Sequence, residues 1–123
     1  MQRHLIRRGD VFLVTYAFPH EEGGSEKHRP VLILQSDDDN RNVHYPLVQA
    51  APITTQKTDH VYEQDVLLPV GEANLSRTSK VLLGLTQPFL RARLGQRLGR
   101  ISPTKMREID LKLLRLFGFV EKR

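Results

Sequence analysis

A chain of 123 residues falls within the size range of one domain and is long enough to bury a core without metal or disulfide staples. Apolar residues make up 39% and charged residues 27%, the balance of a folded soluble chain, and the absence of cysteine excludes a disulfide framework, a cysteine zinc site and a thiol nucleophile. A formal charge of +5, with a pI near 9.9, favours polyanionic partners.

The N-terminal stretch MQRHLIRRGD is basic and lacks the apolar run of a signal peptide, and no window approaches the ~18 apolar residues of a membrane span. A soluble, cytoplasmic protein without membrane association is expected. Residues 11–16 are β-branched and aromatic and read as a first strand after Gly9-Asp10. From Ala17 to Arg29 runs a long polar loop containing Pro19, Gly23 and Gly24, and loops of that length in small domains tend to be functional. Residues 31–35, a continuous apolar run, predict a strand buried on both faces. Asp37 to Asn42 reads as a polar turn. A third strand is expected over 43–53, bent or at an edge because Pro46 and Pro52 interrupt it, a fourth over 60–69 and a fifth over 81–85. Gly71 to Ser79 forms a polar link, and 98–101 a short sixth strand.

The period then changes. Ser102 caps a helix with Pro103 at its first position, Met106, Ile109, Leu113, Leu116 and Phe117 recur at helical spacing, and Gly118 supplies the stop. A helix this short needs tertiary burial to exist, so its stripe is assigned to the core. Strands first and one helix last give a mainly β, α+β architecture in one domain spanning 1–123, with no repeats and no linker.

Several side chains carry candidate chemistry. Pro30 biases Arg29 toward extended backbone at the mouth of the buried strand, where a guanidinium can hold a phosphate bidentately or pair with Glu21, Glu22 or Glu26. The hydroxyls of Thr54 and Thr55, directly after the third strand, can donate to phosphate oxygens or cap a turn. Gln87 can read a base edge or bond to backbone. His20 and His28 lie in the long loop, and histidine is a side chain that serves as acid or base. Arg91, Arg93, Arg97 and Arg100 form either a phosphate-binding stripe or a solvated surface. No histidine pair has metal-ligand spacing, and Asp37 to Asp39 lacks the alternation of a calcium loop.

The order of these signals resembles the MazF/PemK (Kid) family of toxin ribonucleases. The resemblance rests on Arg8-Gly9-Asp10-Val11-Phe12-Leu13-Val14, Gly24-Ser25-Glu26 ahead of Arg29-Pro30-Val31-Leu32-Ile33-Leu34, and Ala51-Pro52-Ile53-Thr54. Thr86-Gln87-Pro88 and Arg97-Leu98-Gly99-Arg100-Ile101-Ser102-Pro103 continue it, from about residue 7 to 118. It implies an SH3-like small β-barrel with a C-terminal helix, a homodimer, and sequence-selective cleavage of single-stranded mRNA without metal or cofactor. In that chemistry a ribose 2′-hydroxyl attacks the adjacent phosphate and leaves a 2′,3′-cyclic phosphate. It also implies a cognate antitoxin protein that blocks the RNA groove, and operator DNA bound by the toxin-antitoxin complex. Arg29 and Thr54 match the catalytic arginine and threonine, and His20 is a further catalytic candidate. Thr55, Thr86, Gln87, Glu26 and His28 make up the expected substrate-binding set. Three positions depart from the pattern: Thr86 replaces an acidic residue, Phe89 an arginine, and Gly84 a second functional arginine of some members. The same barrel serves as a non-catalytic module in gyrase-directed toxins, so a binding module for RNA or for such a target is the alternative expectation.

Overall fold

The computed structural model describes residues 5–17 and 26–121. Gly9, with φ of 95°, turns the chain into the sheet, where its N–H donates to Ile33 O (2.8 Å) and its carbonyl accepts from Ile101 N (2.9 Å). Seven strands follow: β1 (Asp10–Ala17), β2 (Glu26–Ile33), β3 (Leu47–Thr54), β4 (Asp65–Leu68), β5 (Ser79–Leu82), β6 (Gln87–Leu90) and β7 (Leu94–Arg100). A short helix α1 (Asp37–Arg41) joins β2 to β3, and α2 (Pro103–Leu116) ends the fold. Every pairing is antiparallel, in the order β4-β5-β3-β2-β1-β7, with β6 also on β3.

The strands at the two ends of that order, β4 and β7, do not pair with each other among the described residues, so the expected barrel is an open one. Other elements cover the opening. The 3₁₀ turn Glu72–Asn74 lies against β7, with Asn74 Nδ2 donating to Leu98 O at 2.9 Å. Helix α2 reaches β4 through Lys112 Nζ, which donates to Asp65 O at 2.7 Å.

The central strands carry core on both faces, as the apolar run at 31–35 predicts. Leu32, Val11, Ala51 and Ile53 face one cluster, which Ile109 of α2 caps and Met106, Leu113 and Leu116 flank. Val31, Ile33, Phe12, Val14, Val48 and Ala50 face the other, completed by Phe89 and Leu94. Full burial stabilises each of the larger side chains by ~1.5–3 kcal/mol. Phe117 falls outside the predicted stripe and is exposed. Helix α2 otherwise keeps its predicted punctuation: Ser102 Oγ accepts from Lys105 N (3.3 Å), Pro103 opens the helix, and Gly118 follows it with φ of 80°.

Several expectations are corrected. Strand β2 begins at Glu26, inside the expected Ala17–Arg29 loop, and ends at Ile33 rather than residue 35, so that Glu26, His28 and Arg29 are strand residues. Strand β4 covers only Asp65–Leu68 of the expected 60–69, and β5 is Ser79–Leu82 rather than 81–85. Asp37 to Asn42 is not a turn but mostly helix α1, capped by Ser36 Oγ accepting from Asp39 N at 3.3 Å, with three aspartates favourably placed in its first turn. Its anchor is polar: buried Asn40 donates to Gln35 O (2.9 Å), and so the segment lacks the apolar periodicity that marks a helix. The third strand starts at Leu47, not residue 43, and Pro52 lies inside a central strand. On its far side β3 pairs with β6 through Ala50 and with β5 from Ile53, and Pro52 sits in the gap between those partners, where a missing N–H breaks no ladder on that side. Finally, β6 is a separate strand after the Leu83–Leu85 3₁₀ turn, and the last strand begins at Leu94 rather than residue 98.

Candidate active site

The two principal candidates lie on neighbouring strands. The β2–β3 ladder runs Ile33↔Ala50, Leu32↔Ala51, Val31↔Pro52 and stops there. Arg29 lies two residues before its last pair on β2, opposite Val14 of β1, and Thr54 two residues after it on β3, opposite Lys80 of β5. Alternation agrees: Arg29 shares its face with Val31 and Ile33, and Thr54 shares its face with Ala50 and Val48, all four in the second cluster. Both residues are half-buried.

Arg29 is held against Tyr16 of β1. Its Nε donates to Tyr16 O at 3.3 Å, and its guanidinium carbon lies 5.6 Å from the centre of the Tyr16 ring. Such a cation–π contact orients the group more than it stabilises the fold, contributing about 0.5–1 kcal/mol where solvent has access. Tyr16 in turn meets Phe89 of β6 edge-on, with ring centroids 5.1 Å apart. Phe89, at the position of an expected arginine, is therefore a buried aromatic support.

Thr54 Oγ1 accepts from Gln56 N at 3.1 Å, which closes the turn after β3. A hydroxyl that accepts still has its own proton to donate, so the capping and phosphate-contacting roles are compatible. Thr55 follows it, exposed. Gln87 pairs with Ala50 and so lies on the Arg29 face, its Nε2 donating to Leu85 O at 3.1 Å. Thr86 is occupied by the backbone: its Oγ1 donates to Leu83 O at 2.7 Å. Gly84 is exposed and has room for a side chain, since a Cβ there meets only Gln64 Cβ at 3.8 Å.

His28 is on the opposite face from Arg29, exposed, with its Nδ1 2.9 Å from Thr15 Oγ1. Glu26 opens β2 opposite Ala17. His20, and Glu21 and Glu22 as ion-pair candidates, lie outside the described residues.

The arginine cluster resolves into separate structural duties. Arg91 gathers the end of α1, donating to Asn40 O (2.9 Å), Asp39 O and Asn42 O (both 3.2 Å) and Tyr45 O (3.1 Å). Arg97 and Arg100 approach the fully buried carboxylate of Asp10 at 3.2 and 3.6 Å. Tyr16 as the support of Arg29 was missed by sequence reasoning: it reads as one more aromatic in a strand, and its partner Phe89 is 73 residues away in sequence.

The open antiparallel sheet with a helix at its C-terminal end defines a small, mainly β protein of the α+β class. The sequence model of the PemK-like, MazF-like toxins of type II toxin-antitoxin systems matches residues 7–117, and the chain belongs to that family. Among similar solved structures is an endoribonuclease in complex with its cognate antitoxin from a Mycobacterial species, at 22% identity and a TM-score of 0.74, covering 95% of this chain and 99% of that one. The Form-II crystal structure of MazE-MazF from Deinococcus radiodurans matches at 23% identity and a TM-score of 0.73, again over 95% and 99%. Its Form-III crystal structure matches at 26% and 0.66, over 94% and 98%.

Proposed function

We propose that this chain is a sequence-selective, metal-independent endoribonuclease toxin that cuts single-stranded RNA and is blocked by a cognate antitoxin. What supports the reading is the placement of Arg29 and Thr54 on neighbouring strands β2 and β3, both partly solvent-accessible and both on the face of the second cluster: a guanidinium and a hydroxyl donor on one side of the sheet. In-line transesterification places negative charge on the non-bridging phosphate oxygens. Arg29 stabilises that charge, and Thr54 donates its O–H to orient the phosphate. The 2′-oxygen bonds to phosphorus as the P–O5′ bond breaks, giving a 2′,3′-cyclic phosphate and a 5′-hydroxyl. His20 is the proposed acceptor of the 2′-hydroxyl proton, and the departing 5′-oxygen takes up a proton from water. Arg29 is assigned an electrostatic role because a guanidinium holds its proton too tightly to serve as an efficient acid. Thr55, next to Thr54, and Gln87, on the Arg29 face, are proposed RNA contacts, with Glu26 at the start of β2; His28, expected in the same set, faces the other side of the strand and is not assigned to this site. The fold's exposed apolar C-terminal end supports a homodimer, and the toxin-antitoxin complex is the proposed operator DNA ligand.

The test is incubation of purified protein with mixed-sequence single-stranded RNA in EDTA, followed by sequencing and end-group analysis of the products. Cleavage at a short motif with cyclic phosphate ends is expected. Arg29→Ala is expected to lower the rate by roughly two to three orders of magnitude with the melting temperature retained. Intact RNA with wild-type protein rejects the enzyme in favour of a binding module, a reading favoured by Thr86 and Phe89 standing at charged positions of the family pattern.

A further inference from the structure

Beside Thr54 the surface opens into a cleft of about 420 Å³ lined by Tyr62, Gln64, Asp65, Lys80, Gly84 and the side chains of Leu82, Leu85 and Leu116. That volume is in the range of small-ligand sites, roughly 300–1,000 Å³. Lys80 pairs directly with Thr54 across the β3–β5 ladder, so the cleft begins one strand away from the proposed phosphate site. Its polar wall is an ion pair: Lys80 Nζ lies 3.4 Å from Asp65 Oδ2, and each side chain is only 7% exposed. The pair is locked in place, because Lys80 also donates to His60 O at 2.6 Å and Asp65 Oδ2 accepts from Tyr62 N at 2.9 Å. Tyr62 stands exposed on the rim, its ring edge-on to His60 at 4.5 Å.

We propose that this cleft is a base-reading subsite and that the Lys80–Asp65 pair selects guanine. The inference rests on the reading of the chain as an RNA-handling protein. An ammonium beside a carboxylate offers a donor next to acceptors. Guanine sets a carbonyl beside two N–H groups on one edge, so O6 meets Lys80 while N1–H and N2–H meet Asp65. Uracil places a second carbonyl against the carboxylate, and adenine and cytosine offer it one amino group beside a bare ring nitrogen. Tyr62 supplies the aromatic surface on which a splayed base stacks, the usual mode of single-strand recognition. Gly84 keeps the cleft open: nothing but Gln64 Cβ, at 3.8 Å, meets a Cβ built there.

The test uses the full chain and uncleavable probes, octamers of 2′-O-methyluridine carrying one central guanine, adenine or cytosine, or none, with binding read by fluorescence anisotropy. The guanine octamer is expected to bind about tenfold or more tightly than the others, the discrimination of one good bidentate base contact. Gly84→Leu, which fills the cleft, and Asp65→Asn with Lys80→Gln, which removes both charges together, are expected to erase that preference, with melting curves confirming that each folds. Equal affinity for all four octamers, preference for another base, or a guanine preference that survives Gly84→Leu overturns the proposal. Cleavage of ordinary RNA is scored separately. Cutting without guanine preference rejects the subsite alone, and guanine preference without cutting rejects the enzyme alone.

Discussion

A hydroxyl and a guanidinium are useful to a phosphate only when their backbones are held still, and each member of the proposed pair is held here by a contact outside it. Thr54 is fixed by Gln56 N, Arg29 by the carbonyl and ring of Tyr16. Substitutions at Thr54 separate its two uses. Thr54→Ser keeps both the acceptor and the proton, and cleavage within about threefold of wild type is expected. Thr54→Val removes them, and single-turnover kinetics should show a loss of about a hundredfold, the scale of one oxyanion-stabilising donor. Arg29 and Thr54 are proposed from the sequence because Pro30 directly follows Arg29 and because the order Arg29-Pro30, Pro52-Ile53-Thr54 matches a family pattern. Thr86 was not legible as a turn-closing residue. Its hydroxyl serves Leu83 O in a 3₁₀ turn whose existence no periodicity announces.

The elements divide by how they are anchored. Strands β1 to β3 and helix α2 are anchored by apolar burial and were visible as patterns, whereas α1 is anchored by polar groups and was hidden. Asp37 shows the difference. The N–H of Arg8 donates to its carboxylate at 2.7 Å and is the main reason that its pKa lies below the ordinary carboxylate value, with burial opposing and Asn40, Arg41 and Arg100 assisting. A pKa depressed in the folded state contributes stability that is present above the unfolded value and is lost as pH falls through the folded one. Denaturant titrations of wild type and Asp37→Asn should therefore differ most above about pH 5 and converge as the pH drops below 4. Strand β7 depends on a close approach instead. A Cβ on Gly99 falls 2.7 Å from both the carbonyl carbon and oxygen of Ala73, so Gly99→Ala is expected to destabilise by ~1–3 kcal/mol in urea unfolding.

For the molecule as a whole, a charge of +5 suggested a phosphate-binding stripe, but most of the arginines that suggested it serve internal contacts. Arg91 secures α1, while Arg97 and Arg100 neutralise Asp10, and no count of charges reveals which carbonyl or carboxylate a side chain has already found. Apolar exposure is the more informative whole-molecule property. Leu111, Leu114, Phe117, Phe119 and Val120 are all exposed at the C-terminal end, with Phe119 at 77%. A patch of that kind marks an interaction surface. Sedimentation equilibrium is expected to return twice the 14.2 kDa chain mass, and Phe117→Glu with Phe119→Asp to return the monomer. A monomeric wild type rejects the dimer and leaves the patch to another partner.

The three-residue turn between β5 and β6 has a consequence for how the chain tolerates change. Along β3, the step from Ile53 back to Ala50 spans three residues, while their partners Val81 and Gln87 are six apart. The turn at Leu83–Leu85 absorbs the surplus and thereby sets which side of β6 points inward. A one-residue slip of β6 against β3 would turn Gln87 and Phe89 outward and bring Pro88 and Leu90 against Tyr16 and the core. The turn thus holds that register through its length, while the space around Gly84 leaves its side-chain content open.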